Sequence, residues 1–93
     1  MSVYLLTFEL SDEDDAERYD LLWTELRCKG AQRVLKAAWV VDFDDKPEGV
    51  RDHLKGLLSD DDRLFVAALA KGGYTYIHAR SGTNDWLVSS RVG

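Results

Sequence analysis

Four stretches of the chain carry the apolar patterning of extended backbone, and two carry the three-and-four spacing of amphipathic helices. Residues 3–10, VYLLTFEL, are apolar on both faces until Thr7 and Glu9 break the pattern, as in a strand central to a sheet. The acidic run SDEDD at residues 11–15 supplies caps for a first helix, whose stripe is Ala16, Tyr19, Leu22, Trp23 and Leu26. Glu25 and Lys29 stand four apart as a favourable pair, and Gly30 marks the helix end. The segment that follows, GAQRVLKAAWVVDF, decides the topology. Leu35, Ala37, Trp39, Val41 and Phe43 alternate without a break, which suits one long strand. The rival is a short strand over 32–35, a reversal at Lys36 and Ala37, and a second strand over 38–43. The reversal lacks an Asn-Gly or Gly-Gly signal, so pattern alone favours one strand.

A second helix is expected from Asp45, Pro47 and Glu48, with Asp45 as cap and Glu48 completing a capping box. Its buried stripe is Val50, His53, Leu54, Leu57 and Leu58. Residues 63–70, RLFVAALA, are apolar on both faces and read as an interior strand. Gly72-Gly73 then reads as a hairpin loop leading to an alternating strand over 74–79. Residues 81–85 form a polar loop, and Trp86, Leu87 and Val88 are placed to dock the tail.

Composition narrows the picture. Ninety-three residues make one domain, 1–93, with a single small core, and pairing with a second copy is a common remedy for that size. Seventeen acids against twelve bases argue against broad, non-specific binding of nucleic acid, which depends on many Lys and Arg contacts. The charge is unevenly spread: Glu9 to Glu25 holds eight acids and one base, whereas Arg27, Lys29, Arg33 and Lys36 form an acid-free island. A lone Cys28 fits a reducing, cytoplasmic setting, and no apolar run is long enough to span a bilayer.

Candidate chemistry is sparse. Glu9 ends the first strand, where a carboxylate could bind Mg²⁺, and in a symmetric dimer two copies could share one ion. The clusters at residues 42–45 and 60–62 lack the spacing of a calcium loop and serve more simply as loop solvation and helix starts. His53 belongs to a helix stripe, and His78, on a strand face with Tyr74 and Tyr76, is a lone candidate acid or base. The basic island could meet phosphates of RNA or DNA, with aromatic residues as stacking surfaces.

The order of parts resembles a known group. Phe8-Glu9-Leu10 at a strand end, Lys29-Gly30-Ala31 at a helix end, Ala38-Trp39-Val40-Val41, and Asp61-Asp62-Arg63-Leu64-Phe65-Val66 are similar to the SinR-like small proteins. That group is related to the CRISPR-associated adaptation protein and virulence-associated protein D. The resemblance covers about residues 3–70. It implies an α+β, ferredoxin-like βαββαβ sandwich: an antiparallel sheet with two helices on one face, a further C-terminal strand, and a homodimer. It thereby favours the reversal at Lys36 and Ala37. In the CRISPR-associated relatives an aspartate ends the first strand and serves metal-dependent nucleic-acid cleavage. This chain has Glu9 there, one methylene longer. The expectation is therefore a non-catalytic homodimeric scaffold or interaction module, with a Mg²⁺-dependent endoribonuclease using Glu9 as the alternative.

Overall fold

The computed structural model describes residues 2–12, 14, 15 and 17–93. Glu13 and Ala16, assigned above to the cap and the stripe of the first helix, lie outside the described residues. The chain builds β1 (Ser2–Glu9), α1 (Asp20–Cys28), β2 (Gln32–Leu35), β3 (Ala38–Phe43), α2 (Pro47–Lys55), β4 (Arg63–Ala68) and α3 (Thr83–Ser89). The strands form one four-stranded antiparallel sheet in the order β2-β3-β1-β4.

β1 is central, as its two apolar faces require. Tyr4, Leu6 and Phe8 point to one side and join Trp39 and Val41 beneath Tyr19, Leu22 and Leu26 of the α1 region and Val50 and Leu54 of α2. Trp23 stacks on Trp39 with ring centroids 5.6 Å apart and meets Phe8 edge-on at 6.2 Å. Val3 and Leu5 point to the opposite side, where Val34, Ala38 and Val40 pack against Leu87 and Val92 of the C-terminal segment. Both sheet faces are thus covered, one by α1 and α2, the other by residues 69–93.

The helix starts differ from expectation. A 3₁₀ turn, Glu17–Tyr19, precedes α1, and Asp15 Oδ1 accepts from Arg18 N at 3.3 Å, so Asp15 serves the turn, and α1 has no side-chain cap among the described residues. The expected Glu25–Lys29 pair does not form. Glu25 reaches across to His53 Nε2 at 3.2 Å, while the Lys29 ammonium lies 4.8 Å from the Phe43 ring centre. His53 is accordingly exposed on the rim of α2. At α2 the cap position falls on Lys46, one residue beyond the expected Asp45, because Asp45 Oδ1 turns to accept from Lys46 N at 2.8 Å. The Asp45 carboxylate sits so close to Gly49 that a Cβ there would lie 2.1 Å from it, which accounts for a glycine in the first turns of this helix.

The segment 32–43 reverses, against the reading from alternation alone. Lys36 and Ala37 keep negative φ, since among described non-glycine residues only His78 departs from it. Tight hairpins with such turns splay their strands, and an extra residue relieves the mismatch. Here the β2–β3 register slips between Arg33 and Leu35, leaving Val34 as the bulged residue. The Arg33 guanidinium clamps the turn by donating to the Lys36 carbonyl oxygen, and Phe8 N donates to Ala37 O at 2.9 Å.

Two further expectations are corrected. Residues 63–70 do not form an interior strand: β4 ends at Ala68 and lies at the sheet edge. Gly72 does turn, with φ +74°, and Gly73 N donates to Ala70 O, but residues 74–79 do not return as a strand. Instead Tyr74 donates to Val92 O at 3.3 Å and Tyr76 to Asn84 Oδ1 at 2.9 Å. Packing over the sheet face has outweighed ladder pairing. The C-terminal element is likewise the helix α3, not a further strand; its Trp86 donates from Nε1 to Gly30 O at 2.8 Å.

Candidate functional site

The most unusual surface is the edge made by β4. Its sequence RLFVAA holds one charge, has no proline and is otherwise apolar, in a chain of net charge −5. Leu64 and Val66 lean toward the α1/α2 layer and are half-buried. Phe65, paired with Thr7 across β1–β4, points to the other side and remains 66% exposed. A phenyl ring held in water forgoes about 1.5–3 kcal/mol of burial.

The backbone of β4 is exposed on the same edge. Leu69 N donates to Val3 O at 2.9 Å, so the positions bonded toward β1 alternate as 69, 67, 65 and 63. The N–H and C=O groups of Leu64, Val66 and Ala68 therefore face outward, and β4 has β1 as its one strand neighbour among the described residues. Soluble proteins normally blunt such edges with charge, proline or a bulge. Here only the Arg63 end is charged.

Glu9 stands where the sequence placed it, at the carboxyl end of β1, opposite Arg63. Its carboxylate is 3.3 Å from Arg63 Nη1, and 77% of the side chain is exposed. Among the described residues no group of three or more His, Cys, Asp or Glu is arranged to hold a metal ion. The chemistry available to Glu9 within one copy is that of a solvated surface ion pair.

The basic island is not one patch. Lys29 lies beside Phe43, at the sheet end where β3 finishes, and Arg27 is in the last turn of α1 with its guanidinium 3.4 Å from Thr24 Oγ1. Arg33 and Lys36 are at the β2–β3 turn, near Phe8 and the opposite end of the sheet, where they line a shallow cleft of about 120 Å³ with Trp23 and Asp14. Burial, together with the neighbouring charge of Arg80, holds the Arg33 pKa below its ordinary value. That guanidinium is already engaged with the Lys36 carbonyl.

The carboxylate that does most is one the sequence left among loop acids. Asp62 Oδ1 accepts from Ser11 N at 2.8 Å, Ser11 Oγ at 2.9 Å and Tyr19 OH at 2.8 Å, while Oδ2 accepts from Ser59 N at 2.8 Å. Burial alone would push its pKa up. The Ser59 and Ser11 amides and the Tyr19 and Ser11 hydroxyls outweigh that and hold it well below the usual carboxylate range. Asp62 ties the β1–α1 connection to the turn before β4 and so fixes the end of the edge strand. His78 has a left-handed φ of +54° in the irregular segment, and Cys28 is exposed with a free thiol.

No protein-family model matches this sequence, and no solved structure matches it significantly. No helix among the described residues is long and apolar enough to cross a membrane.

Proposed function

We propose that this chain is a homodimeric interaction module of ferredoxin-like architecture, joined edge to edge through β4. The observation that carries the reading is Phe65, exposed on an edge strand whose outward backbone groups have no strand partner among the described residues. The ferredoxin-like part rests on the βαββαβ alternation and on α1 and α2 sharing one face of an all-antiparallel sheet. Kinship with the SinR-like group belongs to the same reading and rests on the motifs of residues 3–70.

A second copy is the natural occupant of this edge. Two-fold dimers bring one patch against itself, so the surface must be self-complementary. Antiparallel pairing centred on Val66 does this: Val66 meets its counterpart, Leu64 meets Ala68, and each outward N–H finds a carbonyl. Phe65 then falls opposite Ala67 of the second copy, in the closer non-hydrogen-bonded pairing, and covers a small side chain with a large one. The strand itself brings no acid to the seam.

This arrangement disfavours the metal-dependent alternative. With the axis at Val66, the two Arg63 positions lie six residues apart along the seam, about 20 Å at about 3.4 Å per residue. Glu9 pairs with Arg63, so the two Glu9 carboxylates cannot share an ion whose ligands sit about 2.1 Å away. The division of the basic island between two sheet ends likewise favours protein contacts over RNA or DNA. Glu9→Gln is expected to leave dimerisation unchanged; Mg²⁺-dependent RNA cleavage by the wild type that disappears in this variant would move the protein into the enzyme class.

Phe65→Glu tests the interface. The side chain is already mostly in water, so the monomer should fold as before. A carboxylate held over the apolar Ala67 of the partner should raise the dimer dissociation constant by about 100-fold or more, the loss of a central aromatic anchor. Sedimentation equilibrium across micromolar concentrations reads this directly. A variant as dimeric as the wild type would remove β4 from the interface.

A further inference from the structure

We infer that the open groove between the β2–β3 hairpin and residues 69–79 is a docking site for an acidic peptide segment, which seats an apolar side chain in the groove and a carboxylate on Arg80 and Arg33. The groove lies on the second sheet face, holds about 160 Å³ and is lined by Leu5, Val34, Val40 and Leu69. Leu35 of β2 and Tyr76 of the cover also line it, and they stand 51% and 44% exposed, with Ile77 next in the chain at 78%. Exposed apolar side chains gathered at a recess and rimmed by charge mark interaction surfaces. Such recesses receive the individual side chains of a bound peptide.

Charge around the groove selects the partner. Residues 2–8, 32–41 and 69–84, which supply its lining apart from Leu87, contain no Asp or Glu, in a chain with 17 acids and a net charge of −5. The same stretches hold Arg33, Lys36, Lys71 and Arg80. Arg80 N donates to Val34 O at 2.9 Å, which sets Arg80 beside β2, near enough for its charge to act on Arg33. Arg33 and Lys36 share their cleft with Asp14, but Arg80 makes no ion pair with any described residue. Two like charges brought together repel, and an incoming carboxylate relieves that repulsion. Arg33 already gives its Nε and one Nη to Lys36 O, so Arg80 supplies the planar fork that a carboxylate fits and Arg33 adds charge.

Nucleic acid and lipid surfaces are anionic too, but they suit this recess less well. Single strands bind by stacking successive bases on aromatic faces, and among the described residues Tyr76 is the one exposed aromatic on the groove. A bilayer is held by apolar groups that reach into it, whereas Val34 and Val40 are buried and Leu5 is half-buried on the sheet. A peptide brings an apolar side chain into the recess and a carboxylate to its rim together. The charged end of the site is at β2, the strand farthest from β4, so the groove does not depend on the dimer edge.

The probe is a fluorescein-labelled peptide of alternating glutamate and leucine, compared with alternating lysine–leucine and glutamate–serine peptides. Anisotropy titrations of the full chain should show saturable binding of the first, weakening as salt rises, and no binding of the other two. NMR shifts on binding should fall at Leu35, Tyr76 and Arg80. Arg80→Glu, an exposed change, should weaken binding by about tenfold or more, because a carboxylate then faces a carboxylate. Leu35→Ser, also exposed, should weaken it by about tenfold through the lost apolar contact. Phe65→Glu should bind the peptide as the wild type does, which separates a failed groove from a failed dimer. Absence of saturable binding, equal binding of the lysine–leucine peptide, shifts confined to Leu64, Val66 and Ala68, or affinity unchanged in both Arg80→Glu and Leu35→Ser would overturn the assignment. Tighter binding of phosphatidylserine vesicles or single-stranded RNA at the same residues would overturn it as well.

Discussion

Leu6→Ala is expected to destabilise the protein by about 3–5 kcal/mol, the upper part of the range for deleting a buried leucine. Leu6 is fully buried on the central strand, between α1 and α2, and the strands on either side fix its backbone. The site cannot collapse around the smaller side chain without moving β1, so the cavity persists. Domains of this size have about 5–15 kcal/mol in total, and the substitution removes a large part of it. With a urea dependence of about 1 kcal/mol per molar for a small chain, the midpoint should fall by about 3–5 M. Phe65→Ala is the control. It removes a larger side chain but one already in water, so at concentrations where the protein is monomeric its cost should stay within about 0.5 kcal/mol, as for ordinary surface changes. Equal costs for the two would contradict the assignment of Phe65 to a binding surface and Leu6 to the core.

Asp62→Asn should cost about 2 kcal/mol at neutral pH and almost nothing in strong acid, since hydrogen bonds to a charged acceptor are worth about 1.5–3 kcal/mol. One oxygen becomes an amide that cannot accept, so either the Ser59 amide or the Ser11 and Tyr19 donors face another donor. The sign of the pH effect follows from the direction of the shift. The folded protein holds the Asp62 pKa below its unfolded value of 3.8, so folding favours the carboxylate. Its contribution is complete above about pH 4–5 and is lost as pH falls toward the folded pKa. The gap between wild type and Asp62→Asn should therefore close as pH falls from 5 toward 2. Thermal melts at several pH values check this, and a gap that stays constant across that window would mean that the carboxylate charge is not what the latch uses.

These residues also show what the amino-acid pattern carries and what it does not. The two apolar faces of residues 3–8 place β1 in the centre, and Tyr19, Leu22 and Leu26 give the buried stripe of α1; both are local signals, and both hold. The reversal at Lys36 and Ala37 has no local marker because its supports come from elsewhere, from Phe8 N and from the Arg33 side chain. Unbroken alternation through 35–43 consequently looks like one strand. The run 63–70 misleads in a different way. Apolar residues on both faces ordinarily mean burial within one chain, and here they lie on an edge, which is itself the signature of the interface proposed. Tyr74, Tyr76 and Trp86 carry strand-like or tail-like patterns, but their hydroxyl and indole groups find backbone or side-chain partners in a cover and a short helix.

Amide hydrogen exchange at Val66 as a function of protein concentration tests the edge-paired dimer most directly. The Val66 N–H faces away from β1, so in a monomer it meets water even while the fold is intact, whereas the Phe65 N–H is bonded inward at every concentration. Edge pairing predicts that Leu64, Val66 and Ala68 exchange slowly at high micromolar concentration and become fast on dilution, while Phe65 and Ala67 remain protected throughout. Exchange at Val66 that is fast at every concentration would contradict the account and leave the exposed strand without the partner it is proposed to have.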